Sequence, residues 1–388
     1  MPATPAAAAT PDPLERLGLL ALFGVAGGLQ FSIAVAQIFL GAAALAWVLM
    51  LATGRARFSA PRFFWPLAAY AALTLASAAF SPDPRVSFID CKQLALFLLV
   101  PITYTFATGP RGLTLMTVIL TCAAISAAFG IFQYGILHYD NLGKRPQGTL
   151  GHYMTYSGLL MLVICVALAR VLFGRGERTW AALVMPALAV AVALSFGRSA
   201  MVGACVAAAL LLTLKDFRLL AILPVIAAVA FAVAPGAIAA RYASIFDVKD
   251  PTRLDRIAML HAGQRMIADH PLVGVGPNMV ERRYIDYRDP DAKLNPHLHN
   301  VPVQVAAERG VPALLAWLWF IGLVIFDAAK RFFQGEHQFQ AAAALAASAA
   351  MLSAGLFEYN FGDSEFLMLY LIIISLPFAA ERASARVA

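Results

Sequence analysis

The stretch NPHLHNVPVQVAAERGVPALLAWLWFIGLVIFD, Asn295 to Asp327, passes from a polar loop into an apolar run long enough to cross a bilayer, for which about 20 residues suffice. Similar runs lie near 17–29, 32–52, 63–80, 93–108, 113–137, 153–173, 179–195, 199–214, 218–235, 338–356 and 365–380. With 301–327 they make about twelve transmembrane helices in an all-α, polytopic membrane protein. The break within 17–52 rests only on Gly24, Gly27, Gly28 and Gln30, so that run reads as one long helix or a tight hairpin. Composition supports the class: 61% of the 388 residues are hydrophobic and 13% charged, against about 25% charged in a soluble domain.

The net charge of +7 is explained by topology. No basic, aromatic-laced module suited to nucleic acid is visible, whereas cytoplasmic loops of membrane proteins hold an excess of Lys and Arg. One set of loop ends carries Arg55, Arg57, Arg62, Arg111, Arg170, Arg175, Arg178, Lys215, Arg218, Lys330, Arg331, Arg382 and Arg386; the other carries Arg85, Lys92, Lys144, Arg145 and Arg198. The first set is expected to be cytoplasmic, with both termini. The Pro/Ala-rich start lacks a basic segment followed by a cleavage site, so a disordered tail is expected there. Cys91, Cys122, Cys165 and Cys205 have no metal or disulfide spacing and read as small core residues.

By parity, segment 236–299 is external, and at more than about 60 residues such a loop crosses largely regardless of charge. The chain therefore divides into helices 1–9 over 1–235, a helical periplasmic cap over 236–299, and helices 10–12 with a cytoplasmic tail over 300–388. Within the cap, Asp250-Pro251 is an N-cap followed by a first-turn proline, predicting a helix over 251–269 that ends at His270-Pro271. Arg253 and Arg256, three apart, share a face of it.

The polar residues that need an explanation converge on the external side: Arg145 and His152, Arg198, Arg253 and Arg256, and His299 with its neighbours. Arg198 lies in SFGRSA, a short turn between apolar spans. An arginine in mid-span costs about 2.5–3.5 kcal/mol, less near the interface; it reads either as a snorkelling anchor or as a ligand for an anion, since guanidinium matches phosphate bidentately. In the opening stretch Asn300 is placed to cap a helix, and Asn300, Gln304 and Glu308 recur every four residues as a supporting polar stripe. Glu308 stands half a turn from His299 on an ideal helix, and Gly310 with Pro312 can break that helix. His299 is the candidate general base, because histidine exchanges a proton near neutrality; the bland reading makes His299 and Asn300 caps only. His297 reads as a bystander, and no metal is predicted from an H-x-H pair without a third ligand. The turn EYNFGDSE (358–365) reads as a solvated loop touching the cap, or as a binder of a divalent cation or a sugar.

RIAMLHAGQRMIADHPLVGVGPN (256–278), followed by His-Asn, seven residues, Glu-x-Gly at His299 to Gly310, resembles the O-antigen ligase family. SFGRSA and RPQGTLGH (145–152) resemble family elements in the expected order. The resemblance implies a GT-C-like membrane glycosyltransferase on the periplasmic face of the Gram-negative inner membrane. It implies transfer of a polysaccharide from undecaprenyl pyrophosphate to the lipid A-core oligosaccharide in lipopolysaccharide biosynthesis, with membrane lipids around it and no cofactor or obligatory metal. His299 is then the base, and Arg198 and Arg256 contact pyrophosphate, with Arg145 and Arg253 as further candidates. Leu260 stands where the family often has an aromatic residue, and Pro302 interrupts the segment after His-Asn. Rival readings are an O-antigen polymerase, a protein O-oligosaccharyltransferase, and a transporter or flippase for a lipid-linked glycan.

Overall fold

The computed structural model describes residues 12–176, 178–247, 250–290 and 292–384; most of the expected N-terminal tail and Arg386 lie outside them. The helices are α1 (Pro13–Gly28), α2 (Ile33–Ala52), α3 (Phe64–Ala79), α4 (Pro84–Asp90), α5 (Leu99–Phe106), α6 (Pro110–Gly135), α7 (Tyr153–Phe173), α8 (Arg178–Leu194), α9 (Arg198–Lys215), α10 (Ile222–Val233), α11 (Gly236–Ala243), α12 (Pro251–Asp269), α13 (Val280–Tyr287), α14 (Val301–Gln334), α15 (Gln338–Gly355) and α16 (Ser364–Ser384). A 3₁₀ stretch, Cys91–Leu98, joins α4 to α5. Among the described residues there is no strand, only an isolated bridge between Asn141 and Lys144.

The protein is all-helical and multi-pass. Among the described residues, seven helical segments are long and apolar enough to cross a membrane: Ile33–Ala52, Pro84–Phe106, Pro110–Gly135, Tyr153–Phe173, Arg198–Lys215, Val301–Gln334 and Ser364–Arg382. Phe64–Ala79, Arg178–Leu194 and Phe217–Val233 are shorter apolar helices. The run 17–52 is a hairpin: α1 and α2 pack on each other, and Ser32 caps the second.

The helices α7, α15 and α16 form the centre and are buried on nearly all sides. Alanine dominates α15, so α7, α9 and α14 approach it closely. The outer helices leave large apolar side chains uncovered, among them Ile38, Leu183, Val229 and Phe326. Such exposure is costly in water and expected against lipid.

One irregularity organises the site end of the bundle. Gly310 leaves the helical region (φ 82, ψ 167) inside α14. Pro312 has no N–H, so the Glu308 carbonyl loses its helical partner. The Val311 N–H turns instead to the Pro271 carbonyl (2.8 Å), leaving the Ala307 carbonyl free as well. The cap supplies both missing donors: Val275 N–H to Ala307 O at 2.8 Å and Gly276 N–H to Glu308 O at 2.9 Å. A Cβ on Gly274 would lie 2.2 Å from the Glu308 carbonyl carbon, and one on Gly310 2.2 Å from Leu272 O. The glycine-rich LVGVGPN segment and the AERG break are thus two sides of one interface, and they seat the cap on the bundle.

Candidate active site

Helix α12 begins at Asp250, whose Oδ1 accepts the Arg253 N–H at 3.2 Å, as the Asp-Pro pair predicts. The same carboxylate takes two hydrogen bonds from Arg198 at the start of α9, at 3.1 and 3.3 Å, while Arg198 also donates to Ser244 Oγ at 3.0 Å. Burial alone would raise the Asp250 pKa, but Arg198 and the nearby donors hold it down to about 2. Arg198 therefore anchors the cap helix and also lines the cavity beneath it.

That cavity holds about 360 Å³ and is lined by Arg198, Arg253, Arg256 and His299, by Asp247, Ser199 and Ser244, and by apolar residues including Leu260 and Phe357. Arg253 and Arg256 both reach it from α12, as their spacing predicts. The Arg256 guanidinium stands 5.9 Å over the Phe357 ring. Its pKa is lowered by burial and by neighbouring Arg198, with Glu358 opposing. Arg145 is set back from the lining: its guanidinium lies over Tyr153 at 4.1 Å and donates to Leu142 O at 2.9 Å. Behind it Arg241, on α11, has its pKa pushed down by burial and by the charges of Arg198 and Arg145. Arg145 Nη1 and Arg241 Nε are buried without a hydrogen-bond partner. Cationic charge crowded this way can take up an anion.

His299 sits at φ 48, a left-handed conformation held by the surrounding loop. Gln304 Oε1 accepts the Leu298 N–H at 2.6 Å; Asn300 Oδ1 caps α14 through the Val303 N–H at 3.0 Å and its Nδ2 donates to Leu356 O at 3.2 Å. Glu308 accepts the Asn278 N–H at 3.0 Å and pairs with Arg309. The expected stripe of Asn300, Gln304 and Glu308 is present, and each member fixes a different part of the frame around His299.

The partner of His299 is Glu358, with Nδ1 3.2 Å from its Oε2. Burial would raise the Glu358 carboxyl, but the hydrogen bond and charge of His299, with His297, hold it below the ordinary carboxylate value. The turn from Glu358 to Glu365 is therefore not the solvated loop its acidity suggests: Asn360 and Phe361 are buried and Glu358 belongs to the site. The signal in the sequence was only that this turn follows an apolar span on the same side as His299. Nor is His297 a bystander, since its ring meets that of His299 edge-on at 4.1 Å. His297, His299 and Glu358 each offer one ligand atom, all within 4.8 Å of one another, so the three-ligand set that the sequence did not reveal has the reach to hold a metal ion. His261, on α12, pairs with Asp289 at 3.2 Å.

The fold and this site define a multi-pass, all-helical membrane protein whose working end joins a cation-lined cavity to a histidine–carboxylate pair. Residues 183–318, from α8 into α14 with the whole cap, match the sequence model of the family described as O-antigen ligase. The matched segment carries Arg198, Arg241, Arg253, Arg256 and His299, and the match supports an O-antigen ligase or polymerase type of function. No curated protein matches the chain.

Proposed function

We propose that the protein is an O-antigen ligase that transfers a polysaccharide from undecaprenyl pyrophosphate to the lipid A-core oligosaccharide. The observation that carries this reading is the convergence of Arg198, Arg253, Arg256 and His299 on one cavity. A glycosyl pyrophosphate brings its own leaving group. The protein has to place it, neutralise the charge that develops as it departs, and take a proton from the attacking hydroxyl. Arg256, which among the described residues pairs with no carboxylate, and Arg253 bind the pyrophosphate; Arg198 shares itself between Asp250 and the same anion. Arg145 and Arg241 add positive potential behind them.

His299 takes the acceptor proton on Nε2 while its Nδ1–H donates to Glu358, which fixes the tautomer and stabilises the imidazolium that forms. The acceptor oxygen forms the new bond to the anomeric carbon, the bond from that carbon to phosphate breaks, and undecaprenyl pyrophosphate leaves with the electron pair. One displacement inverts the anomeric centre; a product that keeps the donor configuration refutes it. No metal takes part in this scheme. Twelve helices span the inner membrane of a Gram-negative cell, the termini are cytoplasmic, and the cap of 236–299 covers the site on the periplasmic side.

The test is an acceptor assay with the purified full chain. Lipid-linked glycan and lipid A-core should yield the conjugate; lengthened lipid-linked glycan would make it a polymerase, and no product a transporter. His299→Ala should abolish transfer in protein with an unchanged melting curve, and retained transfer would remove the base role.

A further inference from the structure

A second cavity, of about 230 Å³, is lined by His297 and Glu358 and shares Ser199 with the arginine-lined one. Its polar lining is His152, Thr155, His297, Glu358, Asn360 and Asp363. Among the described residues no lysine or arginine lines it, so the two cavities differ in charge: three arginines and one carboxylate, Asp247, line the first, and two carboxylates, Glu358 and Asp363, line the second.

Three observations say what the second cavity takes. Asn360 is 6% exposed, yet its Oδ1 has no hydrogen-bond partner. His297 Nδ1 is likewise buried and unpartnered. Both atoms belong to residues that line the cavity, and a ligand that opened this lining would give them the partner that buried polar atoms ordinarily have. Thr155 Oγ1 donates to Asp363, and Asp363 Oδ1 also accepts the Phe366 N–H at 2.9 Å, which holds that carboxylate rigidly at the start of α16. Met161 and Phe366 supply an apolar wall. Fixed carboxylate and amide groups beside an apolar surface suit a pyranose ring, which offers hydroxyls on its edge and C–H groups on its face. The volume is below that of an ordinary drug-sized site, and fits a single ring.

We infer that this cavity is the acceptor subsite, binding the terminal sugar ring of an acceptor that carries no negative charge on that ring and presenting one hydroxyl to the His299–Glu358 pair. This rests on the transfer reading above. The hydroxyl proton passes to His299, its oxygen forms the bond to the donor's anomeric carbon, and the pyrophosphate leaves on the arginine side. Opposite charge lining keeps donor and acceptor from exchanging cavities, because a pyrophosphate is repelled by Asp363 and Glu358.

The experiment uses the purified full chain in lipid vesicles with lipid-linked glycan as donor and lipid A-core as acceptor, each varied at a fixed level of the other. Asn360→Ala, Asp363→Asn and the near-isosteric Thr155→Val should each raise the acceptor KM about tenfold or more and leave the donor KM within twofold. Asp363→Asn keeps an oxygen for the Phe366 N–H and Thr155→Val keeps the shape, so these two report even if Asn360→Ala fails to fold. An acceptor with a phosphate on its terminal ring should be used at least tenfold less well by kcat/KM, and Asp363→Asn should narrow that gap. An unchanged acceptor KM in every folded variant, a donor KM that moves instead, or equal use of the phosphorylated acceptor would overturn the subsite. Absence of conjugate from the unsubstituted protein would overturn the transfer reading itself.

Discussion

Replacing Glu358 by glutamine removes one charge and little volume from the site. In the native protein its Oε2 is 3.2 Å from His299 Nδ1, with only 13% of its side chain exposed. At that separation and an effective dielectric of about 20, a full carboxylate–imidazolium pair is worth about 5 kcal/mol. In the transition state the imidazole carries about half its final charge, so about 2.5 kcal/mol of stabilisation is lost, and at 1.36 kcal/mol per factor of ten kcat falls about 10²-fold. The assay is initial rate of conjugate formation with both substrates saturating, on protein whose melting temperature matches the parent. Glutamine can still accept from Nδ1–H, so orientation is retained and the loss reports charge. A kcat within threefold of the parent refutes the charge-pair mechanism and leaves Glu358 a packing residue.

Other outcomes follow from the same geometry. Arg256→Ala should raise the donor KM about 10- to 100-fold, the worth of a charged hydrogen bond, in a titration of lipid-linked glycan; a donor KM that does not respond removes Arg256 from the anion site. Gly274→Ala and Gly310→Ala place a methyl group against backbone at positive φ, so each should cost at least about 1–3 kcal/mol, read as a lowered thermal midpoint; an unshifted midpoint contradicts the interlock between cap and break. Asp250 is depressed from 3.8 to about 2, so its contribution is fully present above pH 3.8 and is lost as the pH falls towards 2. Cleavage by pepsin within 236–299 should therefore stay slow at pH 4 and quicken near pH 2, and equal rates at the two would argue against the Arg198–Asp250 tie. Treatment with EDTA should leave transfer unchanged; loss that zinc restores would make His297, His299 and Glu358 metal ligands.

What the sequence determined by itself was whatever a lipid solvent and a helical period impose locally. Uninterrupted apolar runs read as spans because hydrocarbon admits little else, and the hairpin of α1 and α2 was one of the two readings that Gly27 and Gly28 allowed. The cap helix was legible to the residue, Pro251–Asp269, because Asp-Pro and His-Pro are chemical start and stop signals. The break at Gly310 was legible for the same reason, and so was the shared face of Arg253 and Arg256. Tertiary structure decided the rest, because a pair formed by one side chain from each of two distant segments leaves no period in either. Glu358 meets His299 across 59 positions. Arg241 enters the cationic cluster only once α11 docks on the end of α8, where Tyr242 donates to the Ala193 carbonyl, and Arg198 proves to be divided between holding the cap and lining the cavity. The glycines of LVGVGPN have a purpose only opposite the two carbonyls that Gly310 and Pro312 set free.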